Sequence, residues 1–272
     1  MLRFICGKPA VAFGNSLAIA DIHIGMERGL AEKGIRLGSM NSMLLNEIAS
    51  LLDETKAERL IILGDVKHTI PGVEFSERLA LKAMLREVCG MARVAIVPGN
   101  HDGDIGEVAP DAEIAPSSGM RIGDVALCHG HAWPDEGIMG AKELLMGHTH
   151  PCVEIADELG GKRVERAWLL AKADAGRLRE KYAGANPEIR LVLVPAFNPL
   201  VGGIPLNRMK DGAPKGPLLR GGMFKFGDGQ IHLLNGIGLG RLSALSGSSR
   251  VIFDVKRKRK SGKLRVMRKA RA

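Results

Sequence analysis

Short apolar runs that stop at polar residues recur five times along the chain, and the stops carry the same residue types. Leu17-Ala18-Ile19-Ala20 runs into Asp21-Ile22-His23, Leu60-Ile61-Ile62-Leu63 into Gly64-Asp65, and Val94-Ala95-Ile96-Val97-Pro98 into Gly99-Asn100-His101-Asp102. Val125-Ala126-Leu127-Cys128 leads to His129-Gly130-His131, and Leu144-Leu145-Met146 to Gly147-His148-Thr149-His150. Such runs read as buried strands, which deliver polar residues to one edge of a sheet. Asn, His and Asp in succession have little use in a core, where every buried polar group needs a partner. The pattern predicts a site at the C-terminal ends of five strands.

Between these runs the period changes. Met40, Met43, Leu44, Ile48, Leu51 and Leu52 recur at helical spacing behind Ser39 or Asn41 as N-cap, which predicts a crossover helix feeding the Asp65 strand. Leu79, Met84, Leu85 and Val88 predict a second helix over 75–88. After Asp102 strands follow in quick succession, antiparallel or mixed. A turn lies between Met120 and Val125, then come a strand over 163–172, a helix over 173–183 with Leu178 and Tyr182 inward, and a strand over 189–194. Residues 224–232 read as a hairpin turning at Asp228-Gly229, and 251–255 as a last strand. Residues 1–20 read as two short strands and 24–38 as a mobile loop or short helix. The stretch 196–222, with Pro199, Pro205, Pro214 and Pro217, reads as a long irregular excursion of the kind that is usually functional. No internal repeat is visible, and the expected organisation is one domain over 1–255 followed by a disordered basic tail over 256–272.

Composition changes this picture in three places. The chain has 272 residues, 45% of them hydrophobic, enough to bury a core unaided. No apolar run nears the ~20 residues of a membrane helix, and Met1 to Gly7 lacks a signal-like apolar stretch, so the expectation is a cytoplasmic protein with no membrane partner. Cys6, Cys89, Cys128 and Cys152 stand singly and read as reduced core residues. The net charge of +9 has one origin: ten of the 39 Lys and Arg fall in 256–272 without an acid, leaving 29 against 30 acidic residues in 1–255. Such a tail can bind phosphates but has no aromatic residue on which a base could stack, and nucleic acid is its expected partner.

Six of the eight histidines lie in the five motifs, and His68 follows Asp65 by three residues. Asp21, His23, Asp65, Asn100, His129, His148 and His150 offer seven ligands, too many for one ion. Two divalent ions are therefore implied; with Asp65 as a bridge, each would have about four protein ligands and positions left for water and substrate. Carboxylate, imidazole and amide donors suit a hard-to-borderline divalent ion such as Mn²⁺, Fe²⁺, Zn²⁺ or Mg²⁺ better than thiolate chemistry would; the expectation is Mn²⁺, with Fe²⁺, Zn²⁺, Ni²⁺ or Mg²⁺ as alternatives the same ligands accept. Two such ions can hold the attacking and leaving oxygens of an in-line displacement at phosphorus.

The motifs, in this order, closely resemble the calcineurin-like metallophosphoesterase superfamily. Gly64-Asp65-Val66-Lys67-His68 and Pro195-Ala196-Phe197-Asn198-Pro199-Leu200 are similar to its SbcD-related archaeal and DNA-repair-associated bacterial members. The resemblance implies a four-layer αββα sandwich with mixed sheets and the active site at the strand C-terminal ends. It implies Asp21, His23, Asp65 and His150 around one metal, and Asp65, Asn100, His129 and His148 around the other. His101 would be the acid beside the leaving group, oriented by Asp102. The expected function is hydrolysis of phosphodiester bonds in nucleic acid or nucleotides; the alternatives are a phosphomonoesterase and a non-catalytic scaffold. His131, Lys67 with His68, and Asn198 with Asn207 are further candidates to reach substrate or line the pocket, while Asp104 and Glu107 are expected to cap the next turn.

Overall fold

Alternation along each strand decides which layer its side chains enter. The structure, a computed structural model, describes residues 1–27, 34, 40–68, 75–156, 161–203, 205–209 and 216–245, and the backbone of 251–253 and 266–268. In the first sheet β1 (Arg3–Phe4), β2 (Val11–Phe13) and β3 (Ser16–Ala20) are antiparallel neighbours, and β4 (Arg59–Leu63), β5 (Arg93–Ile96) and β6 (Glu113–Ile114) continue parallel to β3. Leu17, Ile19, Leu60, Ile62, Val94 and Ile96 pack against α1 (Met40–Thr55) and α2 (Phe75–Met91). Their neighbours Ala18, Ala20, Ile61, Leu63 and Ala95 face the second sheet.

The short helix α3 (Ile105–Val108) leads out of the Asp102 loop into the β6 edge. The second sheet has a parallel centre of β8 (Val125–Cys128), β9 (Glu143–Met146) and β12 (Arg190–Leu193). Around it run β7 (Met120–Ile122), β10 (Cys152–Ala156), β11 (Lys162–Lys172), β13 (Gln230–Leu233), β14 (Gly238–Arg241), β15 (Val251–Phe253) and β16 (Val266–Arg268). Leu127, Leu145, Trp168 and Val192 meet the first sheet. On the outer face Cys128, Leu144, Met146, Leu169 and Leu191 pack with Leu178 of α4 (Ala175–Lys181), Leu218 of α5 (Pro217–Arg220) and Leu242 of α6 (Leu242–Leu245). Helix, sheet, sheet and helix are the four layers expected. Parallel strands buried on both faces explain why these runs are apolar throughout rather than alternating.

Five local readings change. Cys6 is exposed and Cys89 half-buried, so of the four cysteines Cys128 and Cys152 are the buried ones. The first twenty residues form three strands, because Arg3–Phe4 pairs with β2. Met43 is exposed, since it lies about 110° round the helix from the stripe made by Met40, Leu44, Ile48, Leu51 and Leu52. On α2 the stripe is Leu81, Met84, Leu85 and Val88, spaced i, i+3, i+4, i+7, which turns Leu79 to solvent at 51% exposure. Asp228-Gly229 does not turn a hairpin: Phe226–Asp228 is a 3-10 turn and Gly229 has φ −58°, whereas a tight Asp-Gly hairpin needs positive φ at both residues. The hairpin forms one step later, between β13 and β14, where Gly236 supplies φ 84°. Of the expected loop 24–38 only 24–27 and 34 are described, and of the tail only 266–268, whose backbone pairs antiparallel with β15. The rest of both segments, with 204 and 210–215 of the irregular excursion, lies outside the described residues. Among the described residues no helix is long and apolar enough to cross a membrane.

The facing of α2 sets a contrast. Leu81→Ala is expected to cost about 2–5 kcal/mol in urea unfolding, and Leu79→Ala under about 0.5 kcal/mol; equal costs would overturn the assigned face.

Candidate metal centre

Five strands from the two sheets end at one place. Past the ends of β3 and β4 the two chains stay in parallel register, with His23 N–H donating to Asp65 O at 2.8 Å and Ile24 N–H to Val66 O at 2.8 Å. The second sheet is sewn to the first through side chains. His129, following β8, donates Nδ1–H to Leu63 O at 2.8 Å, and the Asp21 carboxylate accepts the His148 N–H at 3.1 Å. The donation from Nδ1 fixes the His129 tautomer and leaves Nε2 as a ligand nitrogen, an orienting role that backbone carbonyls commonly play for metal-binding histidines.

Asp21, His23, Asp65 and His150 offer ligand atoms within 4.8 Å of one another, and Asp65, His129 and His148 do the same, with Asp65 common to both groups. His23 Nε2 lies 3.6 Å and His129 Nε2 3.4 Å from Asp65 Oδ2, and His150 Nε2 lies 3.4 Å from Asp21 Oδ1. Two ligands about 2.1 Å from one ion at a tetrahedral angle stand about 3.4 Å apart. The Nε2 atoms of His23, His129 and His150 are buried and make no hydrogen bond. Orphaned imidazole nitrogens facing buried carboxylates cost free energy unless a cation joins them, so the cluster fits a dinuclear metal site.

The electrostatics agree. Burial lowers the His23 pKa to about 4 against the pull of Asp65 and Asp21, which keeps its lone pair free. Burial also opposes charge on His129, but close contact with Asp65 and the charges of Asp21 and Asp65 raise its pKa to about 9, so with no ion bound a proton on Nε2 would take the place that a metal cation held by that nitrogen would fill. Asp65 is held below the usual carboxylate range: desolvation pushes it up, and His129 with the His101 N–H more than offsets this.

Convergence requires unusual backbone. Asp21 (φ 55°), His23 (φ 45°), Asp65 (φ 49°), His148 (φ 65°) and His150 (φ 44°) all lie in the left-handed region, which costs a residue with a Cβ roughly 1–2 kcal/mol. Extended continuation would carry residues two apart about 7 Å along the strand; left-handed turns bring Asp21 and His23 into one group of ligand atoms, and His150 and His148 into the two adjoining groups that share Asp65. Glycines make the room. A Cβ on Gly99 would overlap the Asp65 carboxylate, one on Gly64 the His129 ring, and one on Gly147 would stand 3.0 Å from Asp21 Oδ2.

The remaining candidates separate. Asn100 is exposed in the turn between Gly99 and His101. His101 Nε2 is 3.9 Å from Asp65 Oδ2, and its Nδ1 meets the His68 carbonyl at 2.6 Å. Asp102 does not touch that ring: it accepts from Gly99 N–H at 2.8 Å, Val66 N–H at 2.8 Å and Lys67 N–H at 3.3 Å, tying the β4 and β5 loops together. The group that orients His101 is thus a backbone carbonyl, for which no side chain in the sequence could give a signal. Asn198 clamps the Ile22 carbonyl (2.9 Å) and Asn207 brackets Glu154 with two bonds of 2.9 Å, so both are framework. Lys67 reaches the Gly103 carbonyl, and the His68 ring stands 5.4 Å from that of His23. Asp104 occupies the N-cap position of α3 without a side-chain cap, and Glu107 pairs with Arg78 at 2.7 Å. His131 adjoins His129 at 5.3 Å between ring centres and opens onto a cleft that sequence reasoning missed.

A family model described as calcineurin-like phosphoesterase matches residues 15–170. No curated protein matches the chain in sequence. Among solved structures, nuclease MPE of Pseudomonas putida is 19% identical, with 86% of this chain and 96% of that one covered at a TM-score of 0.50. The phosphoesterase Yfce of E. coli is also 19% identical, covering 52% and 72% at 0.33. At 19% identity the first likeness is one of fold.

Mn²⁺ at a hundred times its Kd is expected to raise the melting temperature by about 5–10 °C. Gly99→Ala should abolish that rise while far-ultraviolet circular dichroism stays unchanged; an equal rise in the variant would show that the Gly99–Asp65 approach is not needed for binding.

Proposed function

Because the chain belongs to the calcineurin-like phosphoesterase family, a family of metal-dependent phosphoric ester hydrolases, we propose that it hydrolyses phosphodiester bonds of nucleic acid or nucleotides. Asp21, His23, Asp65 and His150 would hold one divalent ion, and Asp65, Asn100, His129 and His148 the other, with Mn²⁺ the ion proposed among the several that such mixed donors accept. Such ions supply a water nucleophile near neutral pH and positive charge against the phosphate oxygens.

The chain's own residues do the rest. The proton on His101 Nδ1 is committed to the His68 carbonyl, so a second proton, on Nε2 at 3.9 Å from Asp65, is the one the ring would pass to the leaving oxygen, reverting to the neutral Nδ1–H form. Asp102 keeps the His101 and Asp65 loops at a fixed separation through its three N–H bonds. The observation that carries the diester reading is the open cleft of about 870 Å³ that continues from His148 past His131. A diester bears a second organic group on phosphorus, which needs such room, and a monoester does not. The ten cations of 256–272 add attraction for a polyanion, and a protein sharing the fold is named a nuclease.

With Mn²⁺, bis-p-nitrophenyl phosphate is expected to be hydrolysed in preference to p-nitrophenyl phosphate, and truncation after Val255 to weaken cleavage of DNA at low salt; a monoester preference indifferent to truncation would make the protein a small-substrate phosphatase. His101→Ala should keep metal content, measured by elemental analysis, and lower turnover by about 10²–10⁴. An unchanged rate would remove His101 from the reaction.

A further inference from the structure

The cleft beyond His148 has walls of a particular chemistry. Its lining includes His131, Trp133, His148, Pro217 and Arg220. Trp133 is 42% exposed, and it is the aromatic member of the exposed large hydrophobic side chains among the described residues. It is also held in place. Lys181 Nζ covers one face at 4.1 Å from the ring centre, and a Cβ on Gly221 would come within 3.5 Å of the ring edge. Arg220 is exposed and has no carboxylate partner among the described residues, and His131 Nδ1 is buried without a hydrogen-bond partner. The cleft is continuous with the metal centre, since Gly216 on its wall would place a Cβ 3.8 Å from the His148 ring and His131 stands 6.3 Å from it.

We propose that this cleft binds one unpaired nucleobase next to the scissile phosphate, stacked on the face of Trp133 opposite Lys181, with Arg220 on the neighbouring phosphate. This rests on the diester reading and narrows its substrate to single-stranded nucleic acid or a frayed end. An indole fixed by a cation on one side is a flat platform that loses little freedom when a base covers the other, and every base has a face to offer it. Base stacking in a duplex is already satisfied by neighbouring pairs, so a paired base cannot enter. The basic tail has no aromatic residue and cannot do this work. Phosphate attraction then comes from two places and base contact from one.

The test pairs an enzyme variant with a substrate variant. With Mn²⁺ present, the KM of the full chain for an eight-residue oligothymidylate is expected to lie about 5- to 150-fold below that for an abasic strand of equal length, the range one stacked base supplies. Trp133→Ala should erase the gap by raising the KM on oligothymidylate alone, with kcat on both strands kept within about twofold, and Trp133→Phe should restore most of it. Arg220→Gln should raise KM on both strands alike. A Trp133→Ala variant that weakens both strands equally, or neither, overturns the proposal. Should the protein cleave p-nitrophenyl phosphate but neither strand, the diester reading fails instead, and tryptophan fluorescence decides the subsite. Trp168 is buried, so quenching by oligothymidylate in chelator, lost in Trp133→Phe and not produced by the abasic strand, supports it, and no quenching overturns it.

Discussion

Two carboxylates taken out of water, Asp21 and Asp65, set the terms for everything at the strand ends. Isolated, each would cost several kcal/mol to bury. Each is compensated by groups from another part of the chain: Asp21 by the His148 N–H and the His150 and His129 rings, Asp65 by the His101 N–H and the His129 ring. The compensating groups come largely from the second sheet, so the two sheets are drawn together at the site by charge and elsewhere by the apolar layer between them. The same arrangement gathers imidazole nitrogens with no protein partner around the carboxylates, which a divalent ion turns from a cost into a bond.

The backbone bears the other part of that cost. Left-handed conformations at five candidate ligands mean that local preference is overruled where function needs it, as is usual for strain concentrated at functional sites. Glycines at 64, 99 and 147 are the counterpart of this strain, for they remove side chains where carboxylate, imidazole and backbone meet. Stability and activity are therefore opposed in these few residues, while the three apolar layers that hold the sheets and helices are free of such conflict.

Much of this was legible in the sequence. Five apolar runs ending in polar residues placed the strands and the edge where Asp21, His23, Asp65, His129, His148 and His150 come together. The unread parts have specific causes. Leu79 and Leu81 are both apolar, and only the full stripe of Leu81, Met84, Leu85 and Val88 tells which faces inward. Asp102 follows His101 in the chain, yet its carboxylate turns to backbone N–H groups of two loops, and the carbonyl that meets His101 belongs to His68. Backbone partners leave no mark on residue identity. Nor does positive φ at a non-glycine residue, and the Trp133 cleft joins segments more than 80 residues apart in sequence, at 131–133 and 216–221.

The bond between Asp21 and the His148 N–H spans 127 residues, and that between His129 and Leu63 spans 66. Loops of that length close late, after local helices and hairpins have formed. A chain emerging in order makes β3, β4 and β5 long before β8 and β9 exist, and of the two clustered groups it carries only Asp21, His23 and Asp65. Such a partial chain can hold an ion loosely at most. The two groups of candidate ligands are therefore complete only where the second sheet meets the first, which ties assembly of the site to the last long-range contacts of the fold rather than to any one segment.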